Sequence, residues 1–253
     1  DEAAAAVFVV GKEDIKRSGV TNIPDALRMV PGIHVAQSGS NNHTVTSRGF
    51  SSQFANKLLV LIDGRTVYSP LFSGVVWDAQ DLLMDDIERI EIVRGPGATL
   101  WGANAVNGVI NVITKHSENT IGGLATAKLG NKIGEGAVRY GAHLGNDSYM
   151  RTYAKYSDHN SEYNANGGNA GDSWRRKQAG FRSDLKLSAK DRLTIQGDIY
   201  ATDEDDSFIF PNLASPTYYD SSKGFKLSGG NILLRWEEKQ NKYSETSVQA
   251  YFD

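Results

Sequence analysis

Residues Asp85–Lys115 read DDIERIEIVRGPGATLWGANAVNGVINVITK, the most informative pattern in the chain. This stretch joins a charged strand, Ile87–Val93, to an apolar strand, Val109–Ile113, through a segment rich in glycine. Just upstream, Leu58–Ser69 reads LLVLIDGRTVYS, in which Asp63-Gly64 separates two short apolar runs. An Asp-Gly pair favours a type I′ hairpin, because both central residues of that turn need a positive φ. The two stretches therefore predict several short strands close together in the sequence.

Helix signals occur only in the first half of the chain. Lys12–Ser18 is polar and suits a helical turn. Thr21 or Asn22 can cap a second helix, which carries Pro24 in its first turn and ends before Pro31-Gly32. We predict a compact α+β domain over residues 1–115, with further short strands at 7–10, 33–36 and 44–48.

The sequence pattern changes after Lys115, where alternation of apolar and polar residues replaces the helix signals. Tight turns at 146–147, 189–190 and 240–241 alternate with long polar loops near 159–174 and 204–226, although the loop near Asn131 is short. Short turns at one end and long loops at the other are typical of an outer-membrane barrel. A soluble β-sandwich, the alternative, has no reason to sort its loops by length. We predict about seven antiparallel strands of a transmembrane β-barrel over residues 116–253, at 121–129, 134–145, 148–158, 175–188, 191–203, 227–238 and 242–253.

Composition and motifs exclude several classes of function. The 27 basic and 30 acidic side chains argue against a broad nucleic-acid-binding face, and the lack of cysteine excludes disulfides and thiolate chemistry. The sequence has no G-x-S-x-G, P-loop or H-E-x-x-H motif, and its histidines show no metal-ligand spacing. The acidic run Asp203–Asp206 could hold a divalent cation, but a solvated loop edge is the simpler interpretation. We predict no enzyme activity, no metal site and no cofactor.

The motifs of the first domain resemble, in order, those of the plug domain of TonB-dependent outer-membrane receptors. The resemblance covers residues 7–115 and rests on VFVVGKEDIKRSGVTNIPDALRMVPGIHV (7–35), TSRGF (46–50), LLVLIDG (58–64), ERIEIVRGP (88–96), LWGAN (100–104) and GVINVITK (108–115). The later strands resemble the family only in their alternation of apolar and polar residues, not in specific motifs. The leader Asp1–Ala6 has nothing like the family's TonB box, so we expect that box to precede residue 1 or to have been removed.

The resemblance implies a plug inside a barrel of about 22 strands in the bacterial outer membrane, with the plug reaching the periplasm. Since about seven strands cannot close such a barrel, we expect this chain to be a fragment. The implied activity is uptake of a scarce substrate, energised by TonB and its inner-membrane complex. A ferric siderophore is the first candidate for the substrate, followed by cobalamin, haem, a copper complex or a sugar. Outer-membrane lipid, colicins and phages are further implied partners.

The resemblance places the substrate on the extracellular top of the plug and under the long loops. Aromatic rings and hydroxyl groups there suit a planar or chelate ligand. The predicted ligand-binding residues are Arg48, Phe50, Ser51, Gln53, Phe54, Tyr68, Ser69, Phe72 and Trp77. Phe50, Phe72 and Trp77 also fit a role in the core of the plug.

A second set of residues carries charge on a half-polar strand, where these residues could be ordinary surface charges. The family pairs such plug charges with the inner barrel wall, and we expect this of Arg89, Glu91 and Arg94, because charges in a crowded lumen need partners. Two rival functions stay open on the sequence. The first is a non-transporting structural or adhesion β-protein, and the second is a soluble α+β domain fused to a β-sandwich.

Overall fold

The computed structural model describes residues 6–47, 57–69, 74–95, 101, 105–211 and 218–253. The chain divides into two compact units. The first comprises Asp1–Ser38 and Asn42–Lys115, and the second comprises Gly39–Asn41 and His116–Asp253. No helix in the described ranges is long and apolar enough to cross a bilayer.

The first unit is an α+β fold, as predicted. Its strands and helices are β1 (Ala6–Gly11), α1 (Lys12–Ser18), α2 (Ile23–Leu27), β2 (Ile33–Gln37), β3 (His43–Ser47), β4 (Leu58–Ile62), β5 (Arg65–Thr66), β6 (Ile87–Arg94) and β7 (Gly108–Thr114). Helix α1 ends at Gly19, which adopts a left-handed φ of 70°. Helix α2 begins after Asn22, whose side-chain oxygen accepts a hydrogen bond from the Asp25 backbone N at 2.8 Å.

The central sheet of this unit has the strand order β1-β6-β7-β4-β5. Strands β4 and β7 run parallel, with Leu58 opposite Gly108, whereas the other pairs are antiparallel. Strands β2 and β3 form a separate hairpin. The β4–β5 turn has positive φ at Asp63 (49°) and Gly64 (82°), which confirms the predicted hairpin.

The core of the first unit lies against this sheet. Strand β6 contributes Ile90 and Ile92, strand β7 contributes Ile110 and Val112, and α2 contributes Leu27, all of them fully buried. In a regular strand, Ile87 would share a face with Arg89, but the pairing with β7 shifts register between these two residues. This bulge brings Ile87 into the same core as Ile90, which the alternation in the sequence does not predict.

The second unit is an antiparallel sheet in which each strand pairs with its neighbours in sequence, in the order β14 to β8. A single 3-10 turn, Ser117–Thr120, precedes the first strand. The strands are β8 (Gly122–Leu129), β9 (Ile133–Gly145), β10 (Ser148–His159), β11 (Trp174–Lys186), β12 (Asp191–Pro211), β13 (Tyr218–Asn241) and β14 (Ser244–Phe252).

Two sequence-based boundaries in this unit are wrong. The loop predicted near 204–226 is mostly strand, because β12 and β13 stay paired as far as Pro211 and Tyr218. The turn predicted at Gln240-Asn241 lies two residues later, at 242–243. By contrast, the turn at Asn146 and Asp147 is confirmed, with φ values of 49° and 51°.

The strands of the second unit bury polar side chains and expose apolar ones. On β10 and β11, Lys155 is 5% exposed and Arg176 is 3% exposed, whereas Ile199 on β12 is 68% exposed. The same inversion holds for other members of the sheet: Arg151, Gln178, Arg182 and Asp184 are buried, and Val138, Phe181, Ile232, Leu234 and Val248 are exposed. Leu233 is fully buried, so it is an apolar exception on the buried face. Such a sheet suits apolar surroundings on one side and polar contents on the other.

Candidate functional site

Most of the predicted ligand-binding residues fall outside the described ranges. These are Arg48, Phe50, Ser51, Gln53, Phe54 and Phe72. Their role therefore stays a prediction from the sequence.

Tyr68, Ser69 and Trp77 do lie within the described ranges. Tyr68 and Ser69 are half-buried and lie just beyond the end of β5, separated from it by Val67. The Ser69 backbone N donates to the Gly74 carbonyl at 2.8 Å. Trp77 begins a 3-10 turn and is buried in the core of the first unit. Its burial favours the packing role that the sequence left open, whereas Tyr68 and Ser69 remain accessible candidates.

The hairpin that positions Tyr68 is anchored to the end of the central sheet. Asp63, in the turn, accepts hydrogen bonds from the backbone N and the hydroxyl of Thr114, at 2.9 and 2.8 Å. The Asp63 backbone N also donates to the Val112 carbonyl at 2.9 Å. Both Asp63 and Thr114 are buried, so these bonds are made away from water and fix the turn against β7. The Asp-Gly pair predicts the turn, but no sequence signal identifies Thr114 as its partner.

The predicted plug charges have partners inside the first unit. Arg89 Nε lies 2.7 Å from Glu91 Oε1, and the second Glu91 oxygen accepts a hydrogen bond from Asn111. Arg94 Nη1 donates to the Pro31 carbonyl at 2.8 Å. Pairing of Arg89, Glu91 and Arg94 with a barrel wall stays a prediction, since it concerns the placement of one unit against the other.

Another ion pair links the first helix to the same strand. Lys12 Nζ lies 2.8 Å from Glu88 Oε1. The Glu88 carboxylate accepts a hydrogen bond from Lys12 and raises the pKa of its ammonium group. Because Lys12 opens α1 and Glu88 is the bulged residue of β6, the pair holds the helix beside the sheet.

In the second unit, Asp184 is the centre of a buried polar cluster. Its carboxylate accepts from Arg182 Nε at 2.9 Å, from the Ser117 backbone N at 2.8 Å and from Thr194 Oγ1 at 3.0 Å. Arg182 Nη2 also donates to this carboxylate. With these four donors, the carboxylate of Asp184 has its hydrogen-bond partners within the protein. The cluster ties the 3-10 turn before β8 to strands β11 and β12.

Two further polar groups lie on the buried face of the sheet. Glu135 is 3.3 Å from Lys155 Nζ and 3.8 Å from Lys128 Nζ, so one carboxylate faces two ammonium groups. Tyr153 donates its hydroxyl to Asp198 and accepts a hydrogen bond from Gln178 at 2.8 Å. These groups are buried because they satisfy one another, in line with the cost of burying an unpaired charge.

The acidic run Asp203–Asp206 is part of strand β12, not the loop edge that the sequence predicts. Within it, Asp205 accepts a hydrogen bond from Ser173 Oγ at 2.8 Å. The described residues contain no group of three or more histidine or acidic side chains that could hold a metal ion.

The sheet of the first unit is followed by strands that bury polar side chains and expose apolar ones. A known family has both features. The family model described as "TonB-dependent Receptor Plug Domain" matches residues 1–109. The chain belongs to the TonB-dependent receptors. This confirms the predicted fold class, a plug followed by antiparallel strands of an outer-membrane barrel.

Relatives of this receptor include vitamin B12 transporters BtuB from two Vibrio species. The protein from Vibrio vulnificus is 37% identical over 131 residues, which cover 51% of this chain and 21% of that protein. The protein from Vibrio cholerae is 32% identical over 189 residues, which cover 72% of this chain and 29% of that protein. The receptor chain therefore spans less than a third of the length of these two relatives.

Solved receptors share the fold at lower identity. The FpvAI-pyocin S2 complex gives a TM-score of 0.76 at 19% identity, covering 99% of this chain and 33% of that one. A mutant of the ferric enterobactin receptor PfeA from Pseudomonas aeruginosa, in complex with enterobactin, gives a TM-score of 0.68 at 18% identity. The match covers 97% of this chain and 40% of that one. At these identities the likeness establishes the fold alone.

Proposed function

We propose that this chain is the plug and first barrel strands of an outer-membrane receptor that takes up a metal chelate by TonB-dependent active transport. The observation that carries the proposal is the inverted sheet, with Arg176 and Lys155 buried and Ile199 exposed, directly after a plug domain. Exposed apolar side chains suit lipid, and a polar inner face suits a plugged lumen. The outer membrane is accordingly the proposed location.

Energy for this transport has to come from a partner. In the family, TonB and its inner-membrane complex supply it, because the outer membrane holds no ATP. TonB is therefore the proposed partner, with outer-membrane lipid around the strands.

Two metal chelates are the leading candidates for the cargo. The ferric siderophore predicted from the sequence is one. Cobalamin is the other, and it is favoured by relatives that are 32–37% identical and are named vitamin B12 transporters. The siderophore-bound neighbour shares less than a fifth of its residues with this chain, so its ligand carries less weight. Cobalamin is therefore the first cargo to test, and haem, copper complexes and sugars follow.

The proposed contact surface includes two described residues. Tyr68 and Ser69 are half-buried next to the anchored hairpin, so each can offer a hydroxyl and Tyr68 a ring. The undescribed residues from Arg48 to Phe54, together with Phe72, complete the surface as predicted from the sequence. A bacteriocin is a further proposed partner, since one structural neighbour is a pyocin complex.

The test is uptake by cells that express the complete receptor and lack other receptors for these cargoes. Radiolabelled cobalamin, a panel of ferric siderophores, a copper complex and a sugar are supplied to cells with and without TonB. We expect saturable accumulation of one chelate, only in cells with TonB. We also expect at least a tenfold loss of affinity in Tyr68→Ala/Ser69→Ala, with Tyr243→Ala, a turn variant, as the matched control.

Accumulation that does not depend on TonB would overturn the transport mechanism. Accumulation of none of the supplied cargoes, with normal receptor levels in the outer membrane, would favour the structural or adhesion alternative. A sugar or copper complex as the sole cargo would keep the mechanism and overturn the choice between cobalamin and siderophore.

A further inference from the structure

A cavity of about 380 Å³ lies between two loops of the second unit. One loop joins β8 to β9, and the other joins β10 to β11. The lining residues are polar apart from one aromatic ring, and they include Asn131, Lys132, Glu162, Tyr163, Asn169 and Ser173. Its volume is in the range of about 300–1,000 Å³ for small-molecule sites, but such sites are usually apolar. A ligand for this cavity must therefore form many hydrogen bonds.

The cavity walls are held in place by bonds within the loops. The Asn160 backbone N donates to the Lys132 carbonyl at 2.9 Å, which joins the two loops. Asn164 Oδ1 accepts from the backbone N of Asn166 and Gly168, at 3.0 and 2.9 Å. These bonds fix the longer loop as a turn, so a ligand would meet a preformed site and lose less entropy on ordering it.

Lys132 and Tyr163 form one side of the cavity. Lys132 Nζ lies 3.7 Å from the centre of the Tyr163 ring and also donates to the Ser161 carbonyl. This cation–π contact covers one face of the ring. Tyr163 is still 70% exposed, so the rest of the ring and its hydroxyl are open to a ligand.

The charges of the cavity favour a neutral ligand. Lys132 and Glu162 contribute one positive and one negative charge, and the lysine ammonium is already engaged. The described ranges give the Glu162 carboxylate no hydrogen bond or ion pair, and a carboxylate only accepts hydrogen bonds. An anionic ligand would be repelled by it, whereas a hydroxyl-rich ligand would donate to it. The asparagine amides add donors and acceptors for the same ligand.

We propose that this cavity binds a saccharide. Glu162 accepts hydrogen bonds from ring hydroxyls, the asparagine amides bond the remaining hydroxyls, and the Tyr163 ring packs against the apolar face of the sugar. The two possible sources of this chemistry are a free oligosaccharide and the sugar headgroup of a glycolipid. The residues of this site are different from those of the proposed uptake surface, and the proposal does not depend on the cargo.

The test uses the complete receptor in a detergent without a sugar headgroup, since a maltoside would compete. Saturation-transfer NMR and calorimetry follow the binding of N-acetylglucosamine, maltotriose and purified lipooligosaccharide, with inorganic phosphate as the anionic probe. We expect saturable binding of a saccharide, weakened at least tenfold in Glu162→Gln and in Tyr163→Ala. The matched control is Glu13→Gln, the same change on an exposed carboxylate of α1, and it should bind like the unmodified protein.

The two sources separate in this experiment. Binding of the free sugars assigns an oligosaccharide, whereas binding of lipooligosaccharide alone assigns a glycolipid headgroup. Failure of all three saccharides to bind would overturn the proposal. So would saccharide binding by Glu162→Gln and Tyr163→Ala that equals that of the unmodified protein, or a preference for phosphate over the saccharides. The uptake assay on the unmodified receptor tests the transport function by itself, so failure of saccharide binding here is distinct from failure of the proposed transport function.

Discussion

Asp63 and Thr114 lie 51 residues apart in the sequence and are joined by two hydrogen bonds, at 2.9 and 2.8 Å. One carboxylate thus closes the β4–β5 turn and caps the end of β7. The parallel pairing of β4 with β7 places the two residues at the same end of the sheet. This contact fixes the hairpin that leads to Tyr68.

The first prediction concerns this contact. Asp63→Ala removes both of these buried hydrogen bonds to Thr114, at an expected cost of about 2 kcal/mol. Hydrogen–deuterium exchange of the complete receptor should show the Thr114 amide exchanging about 30-fold faster. Asp63→Asn keeps a residue suited to the turn and an acceptor oxygen, so its Thr114 amide should exchange at a rate between those of the unmodified protein and Asp63→Ala. Equal exchange rates in all three proteins would refute the anchoring role.

The second prediction concerns the buried cluster around Asp184. Asp184→Asn removes the carboxylate that pairs with the buried Arg182 guanidinium, which should lower the free energy of unfolding by about 3–5 kcal/mol in urea titrations. Asp158→Asn is the matched control, since Asp158 pairs with Arg175 at the surface and should cost less than about 1 kcal/mol. The double variant Arg182→Leu/Asp184→Leu should recover part of the loss. A similar cost for both single variants would contradict the cluster's role.

The third prediction tests the outer face of the sheet. Ile199→Arg places a charge where the proposed location puts lipid, and should destabilise membrane insertion by about 2–4 kcal/mol near the bilayer centre. Gel mobility of unheated samples and yield in the outer membrane report the folded fraction. Tyr243→Arg adds the same charge in the turn between β13 and β14 and should have no effect. Normal insertion of Ile199→Arg would be incompatible with a lipid-facing Ile199.

The fourth prediction concerns pH. Lys186 donates a hydrogen bond to Asp147 and lowers the pKa of that carboxyl group. Because the native pKa lies below the unfolded value, the stabilisation is present above the unfolded pKa and is lost as pH falls through the native pKa. Carboxyl NMR shifts should show a higher Asp147 pKa in Lys186→Met than in the unmodified protein. In the unmodified protein, strong salt should raise the Asp147 pKa by a smaller amount, because the pair is exposed and salt screens it. An unchanged Asp147 pKa in Lys186→Met would assign the shift to another cause.

The fifth prediction concerns Arg94. Arg94→Ala removes the hydrogen bond to the Pro31 carbonyl and, by our proposal, a charge that pairs with the barrel wall. The complete receptor in planar bilayers should then show higher passive conductance. Arg17→Ala, on the exposed face of α1, is the control. Unchanged conductance in Arg94→Ala would contradict the proposed pairing of Arg94 with the barrel wall.

Turn chemistry and alternation in the sequence predict most of the fold, because they are local. Asn22 as a cap, the Asp63-Gly64 turn and the Asn146-Asp147 turn all follow from short-range preferences. The bulge at Glu88 and the extension of β12 to Pro211 do not, since they depend on pairing with a neighbouring strand. A polar stretch such as Asp203–Asp206 looks like a loop until its partner strand is known.

The candidate site is less predictable for the same reason. The motif order identifies the family and places Tyr68 and Ser69 after the hairpin. It does not identify Thr114 as the anchor of that hairpin or Ser117 as a partner of Asp184, because hydrogen bonds across 51 or 67 residues leave no periodic signal. Trp77 shows the converse, since an aromatic residue in the sequence suits either ligand contact or core packing, and its burial in the structure favours packing.

The position of β1 has a mechanical consequence. Among the described strands, β1 pairs with β6 alone, at the edge of the sheet, whereas β7 is held by β6 on one side and β4 on the other. Tension on the N-terminal side of the first unit therefore acts on an edge strand, which has a neighbouring strand on one side only. Under load, β1 would detach first, and the remaining strands would stay assembled as a template on which it can re-form when the tension is released.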